Sequence, residues 1–101
     1  DIAAFMADQA VLLYLKSMIL ELTGEVPRTH LVRQLLQGLK VVLGGLEEID
    51  GFVRDNRSLL IRLEDAYISS RYLPREYGKE EAEELVDFAE EVIGFVKSLK
   101  G

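Results

Sequence analysis

The chain reads as an all-α protein, an antiparallel up-and-down helical bundle of the four-helix type. Three observations predict this. Apolar residues recur at three- and four-residue spacing along most of the chain. No segment alternates apolar and polar residues as a half-buried strand does. The breaks between periodic stretches fall at Gly24, at Gly44-Gly45 and around Pro74 and Gly78, residues that end helices.

The first helix runs from Ile2 to about Leu22, with apolar residues on almost every face, as in a central helix. Gln9 and Lys16 interrupt that surface seven residues apart, on one stripe. Lys16 either reaches past the stripe edge or pairs with a carboxylate of another helix; alternatively both residues line a polar cleft. Gly24 suits the left-handed position after a helix, and Pro27 forbids helix at Val26. Thr29 is a plausible N-cap for a helix from about His30 to Leu43, whose apolar face includes Leu31, Val32, Leu35, Leu36 and Leu39. Residues 46–55 form a shorter, weaker helix loosened by Gly51. Asp55-Asn56 is a turn or cap, and helical spacing returns from about Arg57 to Tyr72; the two pieces are equally readable as one kinked helix. The last helix, about Lys79 to Leu99, opens on glutamates and closes on lysines, as the helix dipole prefers. Phe88 and Phe95 widen its apolar stripe beyond one neighbouring helix, which predicts contact with a second partner or subunit.

Composition narrows the function classes. The 101 residues suffice for one domain with a modest core. Half are apolar and 30% charged, which fits a soluble globule and excludes wholesale disorder. Cysteine is absent, so disulfides, thiolate catalysis and cysteine-held metals are excluded, and a cytoplasmic location is expected. Val11–Leu20 is too short and too charged nearby to be read as a membrane span. One asparagine and three glutamines beside many charged residues lean toward a thermophile source. The net charge of −6 gives no general attraction to nucleic acid, so such binding needs a local basic patch. Between residues 46 and 78 all five bases are arginine.

Several chemistries find no support. His30 is the sole histidine, so no Ser-His-acid trio is suggested by spacing. No inward Glu-x-x-His and no Gly-rich phosphate loop occurs, so no metal site and no cofactor is predicted. The segment from Tyr67 to Tyr77 is richer. Tyr67 and Arg71 are four apart on one helix face, Tyr72 follows, and Pro74 fixes the turn. An arginine fork suits phosphate, and tyrosine rings suit a stacked base. The same residues equally suit a structural corner, with tyrosines plugging a core and arginine bonding the last helix carbonyls.

These stretches resemble the HEPN domain (higher eukaryotes and prokaryotes nucleotide-binding), in its stand-alone archaeal and bacterial form. The resemblance rests on Phe5–Lys16, with its Gln-Ala pair followed by a Leu-Lys pair; on Pro27-Arg28-Thr29-His30-Leu31; and on Ala66–Tyr72 followed by Glu80-Glu81-Ala82-Glu83. It spans residues 1–101 as one HEPN-like domain. The family's bundle has a helix ahead of its Gln-Ala helix, so the resemblance implies that the first family helix is absent from this chain. It departs at Leu12, where members often carry glutamate. It lacks the Arg-x(4–6)-His motif of the metal-independent ribonucleases in the family.

The resemblance implies a homodimer that works beside a minimal nucleotidyltransferase, in a toxin–antitoxin-like pair, and binds a nucleotide or RNA phosphate without catalysis. Gln9, Lys16, His30, Tyr67, Arg71 and Tyr72 would line the nucleotide cleft. Lys16 and Arg71 would hold phosphate, Tyr67 or Tyr72 would stack on the base, and His30 would donate a hydrogen bond. The alternatives are a divergent ribonuclease using His30 with Arg71 or Arg28, and a structural dimerisation module.

Overall fold

Helix ends, more than helix bodies, decide how this chain turns. A computed structural model describes residues 2–71 and 78–99, the side chains of 67–71 excepted. Among them are five helices and no strand: α1 (Ile2–Thr23), α2 (Val32–Val42), α3 (Glu47–Asp55), α4 (Arg57–Arg71) and α5 (Lys79–Leu99). The all-α helical bundle expected from the sequence is what the chain forms.

α1 is the hub, packing against α2, α4 and α5. It stops where Gly24 takes a left-handed φ of 82° and its N–H bonds Leu20 O at 2.7 Å. The Thr23 hydroxyl donates to Ile19 O at 2.8 Å and accepts the Glu25 N–H at 3.1 Å, so the exit is closed on both sides.

α2 starts two residues later than Thr29 capping predicts. Leu31 is the boundary residue, extended at φ −101°, and it supplies no side-chain cap. Thr29 turns the chain instead: its hydroxyl accepts the Leu31 N–H at 3.1 Å and donates to Gln34 Oε1. The orphan donors of α2 find part of their satisfaction in Glu64, as described below.

α2 ends in a Schellman motif, with Gly45 N–H to Lys40 O at 2.8 Å and Gly44 N–H to Val41 O at 3.1 Å. Gly44 sits at φ 87°. A Cβ there costs about 1–2 kcal/mol in that conformation. Gly44→Ala is therefore expected to lower the urea midpoint by an amount equivalent to about 1 kcal/mol, with the denaturant slope unchanged; an unshifted midpoint would contradict the assignment.

Asn56 resolves the question of one kinked helix or two. It closes α3, its N–H and Nδ2 both donating to Phe52 O at 3.0 Å, and its own carbonyl accepts the Leu60 N–H at 2.9 Å to start α4.

The core is built from α1 residues such as Val11 and Leu15, with Leu36 and Leu39, Leu60 and Leu63, and Leu85 and Val92 from the other long helices. Ile49 of the short α3 joins them, fully buried. Phe52 of α3 covers part of the wide α5 face. Its ring stacks on Phe95 at 4.2 Å between centroids and lies parallel to Phe88 at 6.3 Å. Phe88 is buried, while Phe95 stays half-buried.

Candidate functional site

The buried polar side chains of the described residues, Asp8 and Glu64, lie inside the bundle, where α1, α4 and the first turn of α2 meet. Asp8 lies on the core stripe of α1, three, four and seven residues before Val11, Leu12 and Leu15, and is 0% exposed. Neither carboxyl oxygen has a hydrogen-bond partner. Burial, first, and the nearby negative charge of Glu64, second, push the Asp8 carboxyl up to about 7 from its ordinary 3.8. The Gln9 amide opposes this least of the three, since Nε2 is enclosed and lacks hydrogen-bond geometry to any acceptor.

Glu64, on α4, is buried but well served. The Arg33 guanidinium grips it as a fork, Nη2 to Oε1 at 2.8 Å and Nε to Oε2 at 3.0 Å. The backbone N–H of Arg33 adds a bond to Oε2 at 2.9 Å. A carboxylate from α4 thus takes the place of the missing side-chain cap at the positive end of α2. The Arg33 side chain remains 33% exposed, so the pair connects the interior to the surface. There it borders an open groove of about 410 Å³ lined by Leu31, Arg33, Gln34 and Gln37. Another groove, about 280 Å³ and mostly apolar, lies between the end of α1, Pro27 and α2; its one charged side chain is Glu25, a poor setting for phosphate.

Of the residues expected to form a site, Gln9 belongs to this cluster. Lys16 is half-buried two turns further along α1, with no ion-pair partner among the described residues. His30 is exposed in the segment before α2, three residues ahead of Arg33. Tyr67 and Arg71 occupy α4 three and seven residues past Glu64, so the helix carries the Glu64 stripe toward them. Their side chains, and Tyr72 altogether, lie outside the described residues.

Asp8, Arg33 and Glu64 are the members that sequence reasoning passes over. Asp8 has a legible signal: an acid placed squarely on an apolar stripe. Glu64 is four residues past the buried Leu60 and adjacent to Leu63, again on the inward side. Arg33 has no such mark, because its role is set by a carboxylate 31 residues away. No group of three or more His, Asp or Glu suited to a metal ion occurs among the described residues. α1 is long and apolar enough to cross a membrane by length and composition, yet much of its apolar surface is packed inside the bundle.

No curated protein and no solved structure matches the chain significantly. The family model for the HEPN domain matches residues 1–99, nearly the whole sequence and every helix described above. The chain belongs to the HEPN family.

Proposed function

We propose that this HEPN domain is a non-catalytic binding module for a nucleotide or an RNA phosphate, acting beside a nucleotidyltransferase protein. The observation that carries the reading is the family match across all five helices. The charge arrangement is compatible with an anion. Arg33 neutralises Glu64, and Asp8, raised to about 7, is largely uncharged below neutral pH. The cluster then sums to zero instead of repelling phosphate. On this reading Lys16 and Arg71 hold the phosphate, Tyr67 or Tyr72 stacks on the base, His30 donates a hydrogen bond, and Gln9 lines the cleft.

Calorimetric titration of the protein with ATP and with a short RNA, wild type against Arg71→Ala, tests it. Loss of a charge-assisted hydrogen bond of about 1.5–3 kcal/mol weakens binding about 10- to 100-fold. The helical circular dichroism should not change. Absence of binding by the wild type, or equal binding by the variant, defeats the assignment. RNA cleavage in the presence of EDTA that disappears in His30→Ala would replace it with a ribonuclease.

A further inference from the structure

The two acids inside the bundle are held in opposite ways. Both oxygens of Glu64 accept hydrogen bonds from Arg33, from its backbone N–H and from its guanidinium. Both oxygens of Asp8 are enclosed and have no donor. The helices packed on α1 bring Asp8 no compensating charge among the described residues. α5 and α2 bury only apolar side chains, and α4 brings the negative Glu64. On α1 itself stand the neutral Gln9 and, two turns on, Lys16. His30 is exposed before α2, and Arg33 is already engaged by Glu64. The first turn of α2 is also the least anchored element here. It has no side-chain cap of its own, and the non-helical stretch before it begins at the left-handed Gly24. Helix ends of this kind open more readily than helix interiors.

We propose that Asp8 and Glu64 act as a proton-operated latch on the first turn of α2. With Asp8 protonated, Glu64 is the one buried charge, and its grip on Arg33 holds the turn shut. With Asp8 ionised, two buried carboxylates share one guanidinium, and the turn lifts so that water reaches them. Asp8 itself cannot move out, because α1 is packed by three helices. Arg33 can, since a third of its side chain already meets solvent. Lifting the turn sacrifices the Arg33 N–H bond and part of the burial of Val32. Keeping an uncompensated second carboxylate in the interior is the dearer alternative. Burial places the ionisation of closed-state Asp8 near neutral pH, at about 7. The latch thus sets, by pH, the shape of the groove lined by Leu31, Arg33, Gln34 and Gln37, and how free the guanidinium is at its edge.

Amide hydrogen exchange of the whole protein, corrected for the intrinsic rate at each pH, reads the latch at the Arg33 N–H that Glu64 accepts. Opening releases the proton that closed-state Asp8 retains, so protection at Arg33 is expected to fall more than about 10-fold from pH 5 to pH 8. Low urea should leave this exchange unchanged, because a local opening exposes little surface. Exchange at Val92, in the core of α5, should instead follow global unfolding. Asp8→Asn cannot ionise and should keep Arg33 equally protected at both pH values. Glu64→Gln retains an acceptor for the N–H and removes the repulsion, so its pH dependence should be shallower than that of the wild type. Equal protection of Arg33 at pH 5 and pH 8 in the wild type, an undiminished pH dependence in either variant, or exchange at Arg33 only through global unfolding would each overturn the proposal.

Discussion

Asp8→Asn should make the bundle more stable at pH 8 and leave it nearly unchanged at pH 4. In the unfolded chain Asp8 titrates near 3.8, and in the folded chain near 7. The folded state therefore holds its proton more tightly, and the stability this confers is complete below pH 3.8. It drains away as the pH rises toward and through 7, because folding above that pH requires either taking up a proton or burying a charge. The span is worth about 4 kcal/mol at most, at 1.36 kcal/mol for each pKa unit.

Asparagine is nearly the same size and cannot ionise. Its amide meets the same enclosed surroundings as the protonated acid, so the comparison isolates the charge. Urea unfolding of both proteins between pH 4 and pH 9 checks this. The difference between the two curves should grow with pH and level off above about 8. A constant difference would mean that the Asp8 carboxylate finds compensation inside the fold.

A buried acid that costs stability under neutral conditions is the kind of local conflict expected at a working site. That is why the Asp8 cluster, and not the most conspicuous run of residues, anchors the candidate site. The sequence makes the helices legible because their signals are local. Gly24 and Gly44 end helices by their own φ preference, and the repeat of Leu35, Leu36 and Leu39 needs no knowledge of its neighbours. Asn56 is ambiguous in sequence because closing one helix and opening the next uses the same residue type.

The site is less legible because its pairings span helices. Glu64 and Arg33 find each other only once α2 and α4 are placed, and the late start of α2 follows from that pairing. Phe52 likewise covers part of the wide α5 face from a helix whose own sequence looks weak. Gln9 is the exception, one of the few polar residues on a mostly apolar helix and the neighbour of Asp8 along it. The Tyr67–Tyr77 segment draws attention by composition alone, and its test is the binding experiment with Arg71→Ala.

Glu64→Ala should destabilise the bundle by about 3 kcal/mol, and by more at pH 5 than at pH 8. Removing one partner of a buried ion pair costs about 3–5 kcal/mol when the other is left stranded. Here the lower end applies, since Arg33 is partly exposed and its guanidinium can turn to water. The cap on the Arg33 N–H is lost at any pH. The pH dependence comes from Asp8. At pH 5 Asp8 is protonated and feels little from Glu64, so the full cost is seen. At pH 8 the wild type contains two buried carboxylates, and deleting one relieves the repulsion between them, offsetting part of the loss.

Burial remains the larger cause of the Asp8 shift, so its pKa in Glu64→Ala should fall only part of the way toward 3.8. A double-mutant cycle with Arg33→Ala separates the ion pair from the cap. The coupling energy should exceed about 1 kcal/mol, because two of the Glu64 bonds come from the Arg33 fork. Arg33→Ala strands the buried Glu64 carboxylate with only the backbone N–H of residue 33, whereas Glu64→Ala leaves a guanidinium that can turn to water. Arg33→Ala should therefore cost at least as much as Glu64→Ala. The reverse order would mean that the helix cap, and not the guanidinium, is what fixes α2 against α4.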